Sequence, residues 1–333
     1  MRAVVARAHG PPEKLEIAEL PTPELRDGEV RVDVHAAAVG FPDLLVLEDR
    51  YQISVTPPFV PGSEFAGVVS ELGAGVEGLR PGDRVLGAVL VGAFAEEIVA
   101  PAQSLRRVPD GIDLGSAAAF WVAYVTAWTA LRSLAGLEAG ETLVVLGAAG
   151  GVGLAAVELG KLRGAKVIAA ASSPAKLRVC REHGADETID YQTEDLRERI
   201  RTLTYGRGAD VVLDPVGGAW TEAALRGLGF GGRLVVVGFA SGEIPRVPTN
   251  RLLLRGTALL GLEIGSFLAR RPREAGENER ELLARLGDGR LRPHVSARYP
   301  LEETAAALRH VAERRAIGRV LIEPRPSRDR KGP

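Results

Sequence analysis

The 333 residues include one cysteine, Cys180, one methionine and two asparagines, and only five of the 42 basic residues are lysine. A lone cysteine excludes an intrachain disulfide framework and a cysteine metal cluster; in a helical stretch it reads as a packing residue. The five histidines, at positions 9, 35, 183, 294 and 310, are scattered without ligand spacing, so soft or imidazole donors do not converge on a tetrahedral zinc site. No uninterrupted run of 18 apolar residues occurs, and Met1-Arg2-Ala3-Val4-Val5 opens the chain without a charged segment leading into an apolar one. These absences point to a cytoplasmic protein with no membrane partner. A net charge of -1 gives no electrostatic footprint for nucleic acid. Scarce Met, Cys and Asn with arginine in excess fits heat adaptation and GC-rich codon usage equally, and the sequence does not separate them.

Apolar residues make up 46% of the chain, and its length exceeds what one hydrophobic core serves, so two domains are expected. The most informative stretch is Glu141 to Ala171: an apolar β-branched run, a glycine-rich turn, a helical pattern and a second apolar run. That is one βαβ unit. Thr142 to Leu146 is short and uniformly apolar, as a parallel strand covered on both faces should be. The turn after it carries Ala148-x-Gly150-x-x-Gly153, the dinucleotide fingerprint with alanine in place of its first glycine. Gly150 admits a pyrophosphate close to the backbone and Gly153 lets helix and strand approach. The helix N-terminus, through Gly151 and Val152, offers free N–H donors and positive potential.

The second strand speaks to the nucleotide. A ribose-binding Asp or Glu is expected at its end in an NAD site, but Lys166 to Ala171 runs into Ser172, Ser173, Pro174 and Lys176. Ser173 and Pro174 read as N-cap and first helical residue. Lys176, a cation in the first turn, opposes the helix dipole, and a bound anion would explain it. NADPH is therefore expected over NADH.

Residues 1 to about 115 read as all-β, with runs at Ala3 to Arg7, Leu15 to Leu20, Glu29 to Val39, Ala66 to Leu72, Arg84 to Leu86 and Ala93 to Ala100 separated by Gly/Pro turns; short, evenly spaced strands suggest a small barrel or sandwich. Pro57, Pro58 and Pro61 mark a loop suited to a substrate wall. A helix from Ser116 to Leu134 leads into the βαβ unit. Helices near Ala175 to Glu182, Thr193 to Leu203 and Trp220 to Leu228 then alternate with strands at Glu187 to Asp190, Ala209 to Leu213, Gly231 to Val237 and Gly256 to Leu262. This alternation predicts a doubly wound parallel sheet and an α/β fold. A helix at Leu301 to Arg314 and a strand at Arg319 to Ile322 follow, then a charged tail over residues 325–333 that reads as disordered.

Taken in order, M-R-A-V-V at the start, G-E-V-R-V-D-V-H-A-A-A-V-G-F-P-D from Gly28, P-G-S-E-F-A-G-V-V from Pro61, P-G-D-R-V from Pro81, G-A-A-G-G-V-G from Gly147 and A-D-V-V-L-D-P-V-G-G from Ala209 resemble the medium-chain dehydrogenase/reductase superfamily. The match is to its zinc-independent quinone oxidoreductase (zeta-crystallin-like) branch. The resemblance covers nearly the whole chain. It implies a mainly β GroES-like domain over residues 1–118 completed by 292–324, a Rossmann NADPH-binding domain over 119–291, and an active site in the cleft between them. Zinc members carry a Cys before the first-loop Asp and a His-Glu pair after Pro-Gly; here Phe41-Pro42 precede Asp43 and Ser63-Glu64 follow Pro61-Gly62, so no metal ligand carries over.

The resemblance further implies hydride transfer from NADPH to a quinone, or alternatively to a 2-enoyl thioester or enone, with a cofactor-binding protein of little catalysis as a third reading. Tyr51 stands at the spacing of a family tyrosine facing the nicotinamide and is the candidate donor, with a half-buried loop tyrosine as the alternative. Asp43 is either catalytic or a loop cap. Many members carry Asn at the Phe41 position, so this chain's site is more apolar. Thr126 matches a threonine at the nicotinamide carboxamide. Lys176 and Tyr191, with Ser172, match residues around the 2′-phosphate, and Arg315, with Arg314 or Arg319 as substitutes, matches an arginine reaching it. Gly238 and Phe239 border the nicotinamide ribose, and Asp214 organises its loop. Leu252 to Leu262 lie where relatives pair sheet edges into a homodimer.

Overall fold

The computed structural model describes residues 1–325; the tail expected to be disordered lies, from residue 326 on, outside the described residues. In chain order the elements begin with β1 (Arg2–Val5), β2 (Glu16–Glu19), β3 (Glu29–Val39), α1 (Phe41–Leu47), β4 (Glu64–Leu72), β5 (Arg84–Ala88), β6 (Glu97–Pro101) and β7 (Leu105–Arg107). Next come α2 (Leu114–Trp128), β8 (Thr142–Val145), α3 (Gly151–Leu162), β9 (Lys166–Ala171), α4 (Pro174–Glu182), β10 (Glu187–Asp190), α5 (Leu196–Leu203), β11 (Ala209–Asp214), α6 (Gly218–Gly227) and β12 (Leu228–Val236). The chain closes with α7 (Asn250–Arg255), β13 (Ala258–Gly261), α8 (Ile264–Arg270), α9 (Pro272–Gly287), β14 (Val295–Pro300), α10 (Thr304–Ala312) and β15 (Arg319–Glu323). Two compact units result: Met1–Val122 with the residues from Arg292 on, and Ala123–Leu291.

In the first unit a seven-stranded sheet runs β14-β15-β3-β4-β5-β7, with β6 also paired to β3. Strand β3 alternates so that Val30, Val32 and Val34 are buried, and its inward face joins Phe65, Val85, Phe94, Val320 and Ile322 in one core. All pairs in this sheet are antiparallel except β14 with β15. One expectation is corrected. The first 115 residues are not all-β, because Phe41–Leu47 form a helix. Gly40 is its N-cap, Pro42 stands in its first turn and Asp43 reaches back to the Gly40 N–H, a start signal that local alternation hid.

The second unit holds a six-stranded parallel sheet in the order β10-β9-β8-β11-β12-β13, the doubly wound arrangement. All four residues of β8 are buried, as a central parallel strand requires. Helix α2 continues as a π-helical segment over Thr129–Leu134. The stretch Leu114–Leu134 is apolar and long enough to cross a membrane by length and composition, yet 83% of its most apolar window is buried inside the protein, the position of a core helix.

Candidate active site

Strand order reverses between β8 and β11, the switch point outside whose strand carboxyl ends doubly wound sheets bind their ligands. The glycine turn occupies that point. Gly147 has φ +54°, and a Cβ there would meet Val216 Cγ2 at 2.9 Å, so the turn after β8 abuts the loop after β11. Gly150 is the N-cap of α3 and offers no side chain to the first turn; the N–H groups of Gly151, Val152 and Gly153 precede the first intrahelical donor, Leu154 N–H to Gly150 O, and point outward from the helix start. A Cβ on Gly153 would lie 2.4 Å from Gly147 O and 2.7 Å from Ala148 Cα, so only glycine lets α3 begin this close. Ala148 is buried. A cradle of this shape fits a pyrophosphate.

Asp214 organises the neighbouring loop: its Oδ1 accepts the Val216 and Gly217 N–H groups at 2.8 and 2.9 Å, and Thr221 Oγ1 donates to Oδ2. Gly238 and Phe239 follow β12, and Ala240 N–H donates to Pro215 O, which lays their segment against the same loop. The Phe239 ring covers Gly217.

At the ends of β9 and β10, Ala171 pairs with Asp190, and this register gathers Ser172, Lys176 and Tyr191. Ser173 Oγ caps α4 by accepting the Lys176 N–H at 3.4 Å, while Lys176 Nζ donates to Ser172 Oγ at 3.2 Å. The Tyr191 ring sits 4.5 Å from that of Trp220. A serine hydroxyl, an ammonium and a phenol beside a helix start suit a phosphate monoester. Thr126 is buried near the end of α2. Cys180 is buried in α4, its thiol pushed up to about 12 by desolvation, which makes it an inert packing residue.

The first unit holds Asp43, Tyr51 and Arg315. Arg315 is exposed and donates to Glu313 at 2.8 Å. Tyr51 is half-buried against the core of this unit. Asp43 is 3% exposed; its Oδ2 accepts the Gly40 N–H at 2.7 Å and its Oδ1 accepts the Ser63 hydroxyl at 2.8 Å. Asp43 is thus the cap of α1. Burial pushes its carboxyl up to about 6, against the opposing pull of these hydrogen bonds and of Arg319.

Beside it lies Glu64, which spacing did not single out for the site, with Arg319, expected above only as a substitute for Arg315. Glu64, 2% exposed, accepts the Val122 N–H at 2.6 Å and pairs with Arg319, itself 9% exposed. Burial raises the Glu64 carboxyl as well, with Arg319 opposing. Arg319 is therefore committed to Glu64 rather than available as a substitute for Arg315. The available signal was a charged residue heading the apolar run E-F-A-G-V-V, and its partner lies 255 positions away. Among the described residues, no group of three or more His, Cys, Asp or Glu side chains could hold a metal ion.

A family model described as an alcohol dehydrogenase GroES-like domain matches residues 26–110, and one described as a zinc-binding dehydrogenase matches residues 151–284. The quinone oxidoreductase-like protein 2 homolog of Nematostella vectensis is 38% identical over 96% of this chain and 88% of its own length. The chain belongs to the medium-chain dehydrogenase/reductase superfamily. Within it, the quinone oxidoreductase of Pseudomonas aeruginosa is 35% identical over 95% of this chain and 98% of its own. The crystal structure of Escherichia coli quinone oxidoreductase complexed with NADPH superposes with a TM-score of 0.91 at 28% identity, over 97% of this chain and 100% of the other. This member is accordingly an oxidoreductase-family protein with a Rossmann sheet and a GroES-like unit.

Proposed function

We propose that this protein is an NADPH-dependent quinone oxidoreductase that works without a metal ion. The observation that carries the cofactor is the end of β9, where Lys176 donates to Ser172, Tyr191 follows the paired strand β10, and the chain runs from Ala171 into serines rather than a ribose-binding carboxylate. The kinship with proteins named quinone oxidoreductase supports the acceptor. The α3 N-terminus, from Gly150 to Gly153, would hold the pyrophosphate, with Gly238 and Phe239 at the nicotinamide ribose and Thr126 at the carboxamide. Arg315 would add a second cation for the 2′-phosphate. Bound NADPH supplies a hydride to an electron-poor acceptor, whose new oxyanion then takes a proton. Tyr51 donates a hydrogen bond that orients the acceptor and stabilises that charge. Metal independence is supported by the donor set: Phe41, Pro42 and Ser63 stand where zinc members place ligands, Asp43 caps α1 and Glu64 is paired to Arg319.

Phe41 favours a second reading, reduction of a 2-enoyl thioester or enone, because an aromatic ring replaces a polar contact for a quinone oxygen. The test is oxidation of NADPH and NADH against a benzoquinone, a naphthoquinone, a 2-enoyl-CoA and a simple enone. NADPH with quinones is the expected preference. Faster turnover of the thioester moves the function to the second reading, and cofactor binding without turnover of any acceptor leaves a binding protein. Lys176→Ala should raise the KM for NADPH about tenfold, the value of one charge-assisted contact of about 1.4 kcal/mol, while the KM for NADH changes little. Equal changes for both would remove Lys176 from the 2′-phosphate site.

We also propose a homodimer through β13. That strand is an edge of the parallel sheet, and Leu253, Leu254 and Phe230 around it are 82%, 76% and 90% exposed, an apolar edge that pairing would cover. A dimer mass is expected in light scattering at micromolar concentration, and a monomer mass refutes the pairing.

A further inference from the structure

The second unit carries a basic cavity that the cofactor reading leaves unused. Its volume is about 230 Å³, and it is lined by Arg197 of α5, Leu225 and Arg226 of α6, and Arg251, Leu254 and Arg255 of α7. Arg226 stands just before the start of β12 and Arg255 just before the start of β13, strands that run parallel to β8. The cavity therefore adjoins the amino ends of these strands, and the glycine turn lies at the carboxyl end of β8. Four guanidinium groups meet there, paired with two carboxylates. Glu222 takes Arg251, and Glu198 lies 3.7 Å from Arg197, too far for a hydrogen bond. Arg255 donates to backbone alone, to Arg226 O at 3.4 Å and Leu228 O at 2.8 Å. The Arg226 side chain has no ion pair or hydrogen bond among the described residues, and Arg197 Nε is buried without a partner. Helix α7 sharpens the imbalance. It has six residues, none buried, and Thr249 gives it no side-chain cap. Arg251 and Arg255 add a like-charge pair one turn apart, so nothing in its own sequence holds so short a helix.

We propose that this cavity is a second anion site, separate from the cofactor cradle, and that it takes a phosphate dianion, free or as a small monoester. Charge selects the ligand: four guanidinium groups against two carboxylates leave a surplus of two positive charges, which a phosphate of charge about -2 balances and a chloride does not. Geometry agrees, because the planar guanidinium fork matches phosphate oxygens two at a time. Size sets the limit. The cavity is smaller than the roughly 300–1,000 Å³ of pockets that hold drug-sized ligands, so the occupant is a phosphate with few atoms attached. Leu225 and Leu254 in the lining bring apolar side chains that do not compete for the guanidinium donors. The bound dianion relieves the repulsion between Arg251 and Arg255 and bridges α7 to α5 and α6. It thereby steadies the helix that leads into the edge strand β13. The site holds whether or not the protein is a reductase.

The test is calorimetric titration of the full chain with inorganic phosphate and, separately, glycerol 3-phosphate. It is run at about pH 8, where phosphate is a dianion, at constant ionic strength in chloride, with and without NADPH. The wild type should bind one phosphate per chain in both conditions. Arg226→Gln should raise the Kd about tenfold, the effect of one charge-assisted contact. Glu222→Gln, which frees Arg251, should lower the Kd, and Lys176→Ala should leave it unchanged. Tighter inorganic phosphate makes the ligand the free ion, and tighter glycerol 3-phosphate makes it a monoester. Arg226 is exposed, so its variant should keep the wild-type urea midpoint without phosphate and lose only the rise in midpoint that phosphate gives the wild type. No binding below about 10 mM, weaker than any Kd of biological use, overturns the site. So does binding that Arg226→Gln leaves unchanged, or binding that NADPH displaces or Lys176→Ala abolishes, which belongs to the cofactor cradle. Leu254 also borders the edge proposed to pair in the homodimer. An Arg226→Gln chain that scatters as a monomer where the wild type scatters as a dimer, with no phosphate bound by either, gives the arginines to carboxylates of the second copy and equally overturns the site.

Discussion

Arg319→Met is expected to destabilise the protein by about 3–5 kcal/mol in chemical denaturation, the usual result of removing one partner of a buried ion pair. The loss comes from Glu64, which stays 2% exposed and must either carry an unpaired charge or take up a proton. Removing the guanidinium raises the folded-state pKa of Glu64 further above its unfolded value. The folded protein then binds more protons than the unfolded one, so stability declines as pH rises between those two pKa values. The deficit should therefore be larger at pH 8 than at pH 5. The double variant Glu64→Gln/Arg319→Met should recover most of it, since Gln still accepts the Val122 N–H and the carboxylate that paired directly with Arg319 is gone, leaving only Asp43 without the pull of the guanidinium. Arg319 Nε is already buried without a hydrogen-bond partner, so the native pair is not fully satisfied. A single variant as stable as the wild type, or a double variant no better than the single, contradicts this account.

The second large effect separates two glycines of one turn. Gly153→Ala drives a methyl group against Gly147 O and Ala148 Cα, backbone atoms that cannot step aside; α3 must shift, at a cost of about 1–3 kcal/mol, and the N–H cradle moves with it. Gly150→Ala meets only Gly147 O at 3.4 Å and has φ -77°, which alanine adopts freely. Its fold should survive with a loss of a few tenths of a kcal/mol at the cap, while the methyl group stands where the pyrophosphate would approach. Both variants should weaken NADPH by about 100-fold or more in fluorescence titration, but only Gly153→Ala should lower the denaturation midpoint. Unchanged NADPH binding by Gly150→Ala removes the turn from the cofactor site.

These two cases mark how far local pattern reaches. The parallel sheet was legible because strands buried on both faces must be short, apolar and punctuated: β9 and β10 run over Lys166–Ala171 and Glu187–Asp190, the bounds their composition suggests. The positions of Ser172 and Tyr191 follow from those strand ends. Helix α1 was hidden because its seven residues are too few to show a 3.6-residue period beside the long strand before it. Strand β7, helices α7 to α9 and strand β14 were not delineated. Strand β14 is exposed on every second residue and partly buried on the others, without a strong apolar face. The Glu64–Arg319 pair was out of reach for a different reason: no spacing rule connects residues on β4 and β15, and only the sheet order brings them together.

That sheet order also ties completion of the first unit to the end of synthesis. Residues Ala37, Ala38 and Val39 of β3 pair with Ile322, Leu321 and Val320 of β15, respectively, and the whole second unit is translated in between. As the chain leaves the ribosome, the second unit has all its strands before the first has its last two, and folds ahead of it. Until β15 emerges, the carboxyl half of β3 presents an open strand edge and Glu64 waits without its counter-ion. A chain that stops short of Arg319 therefore releases an intact Rossmann sheet tethered to a first unit with an unpaired edge, the form most exposed to aggregation and to proteolysis.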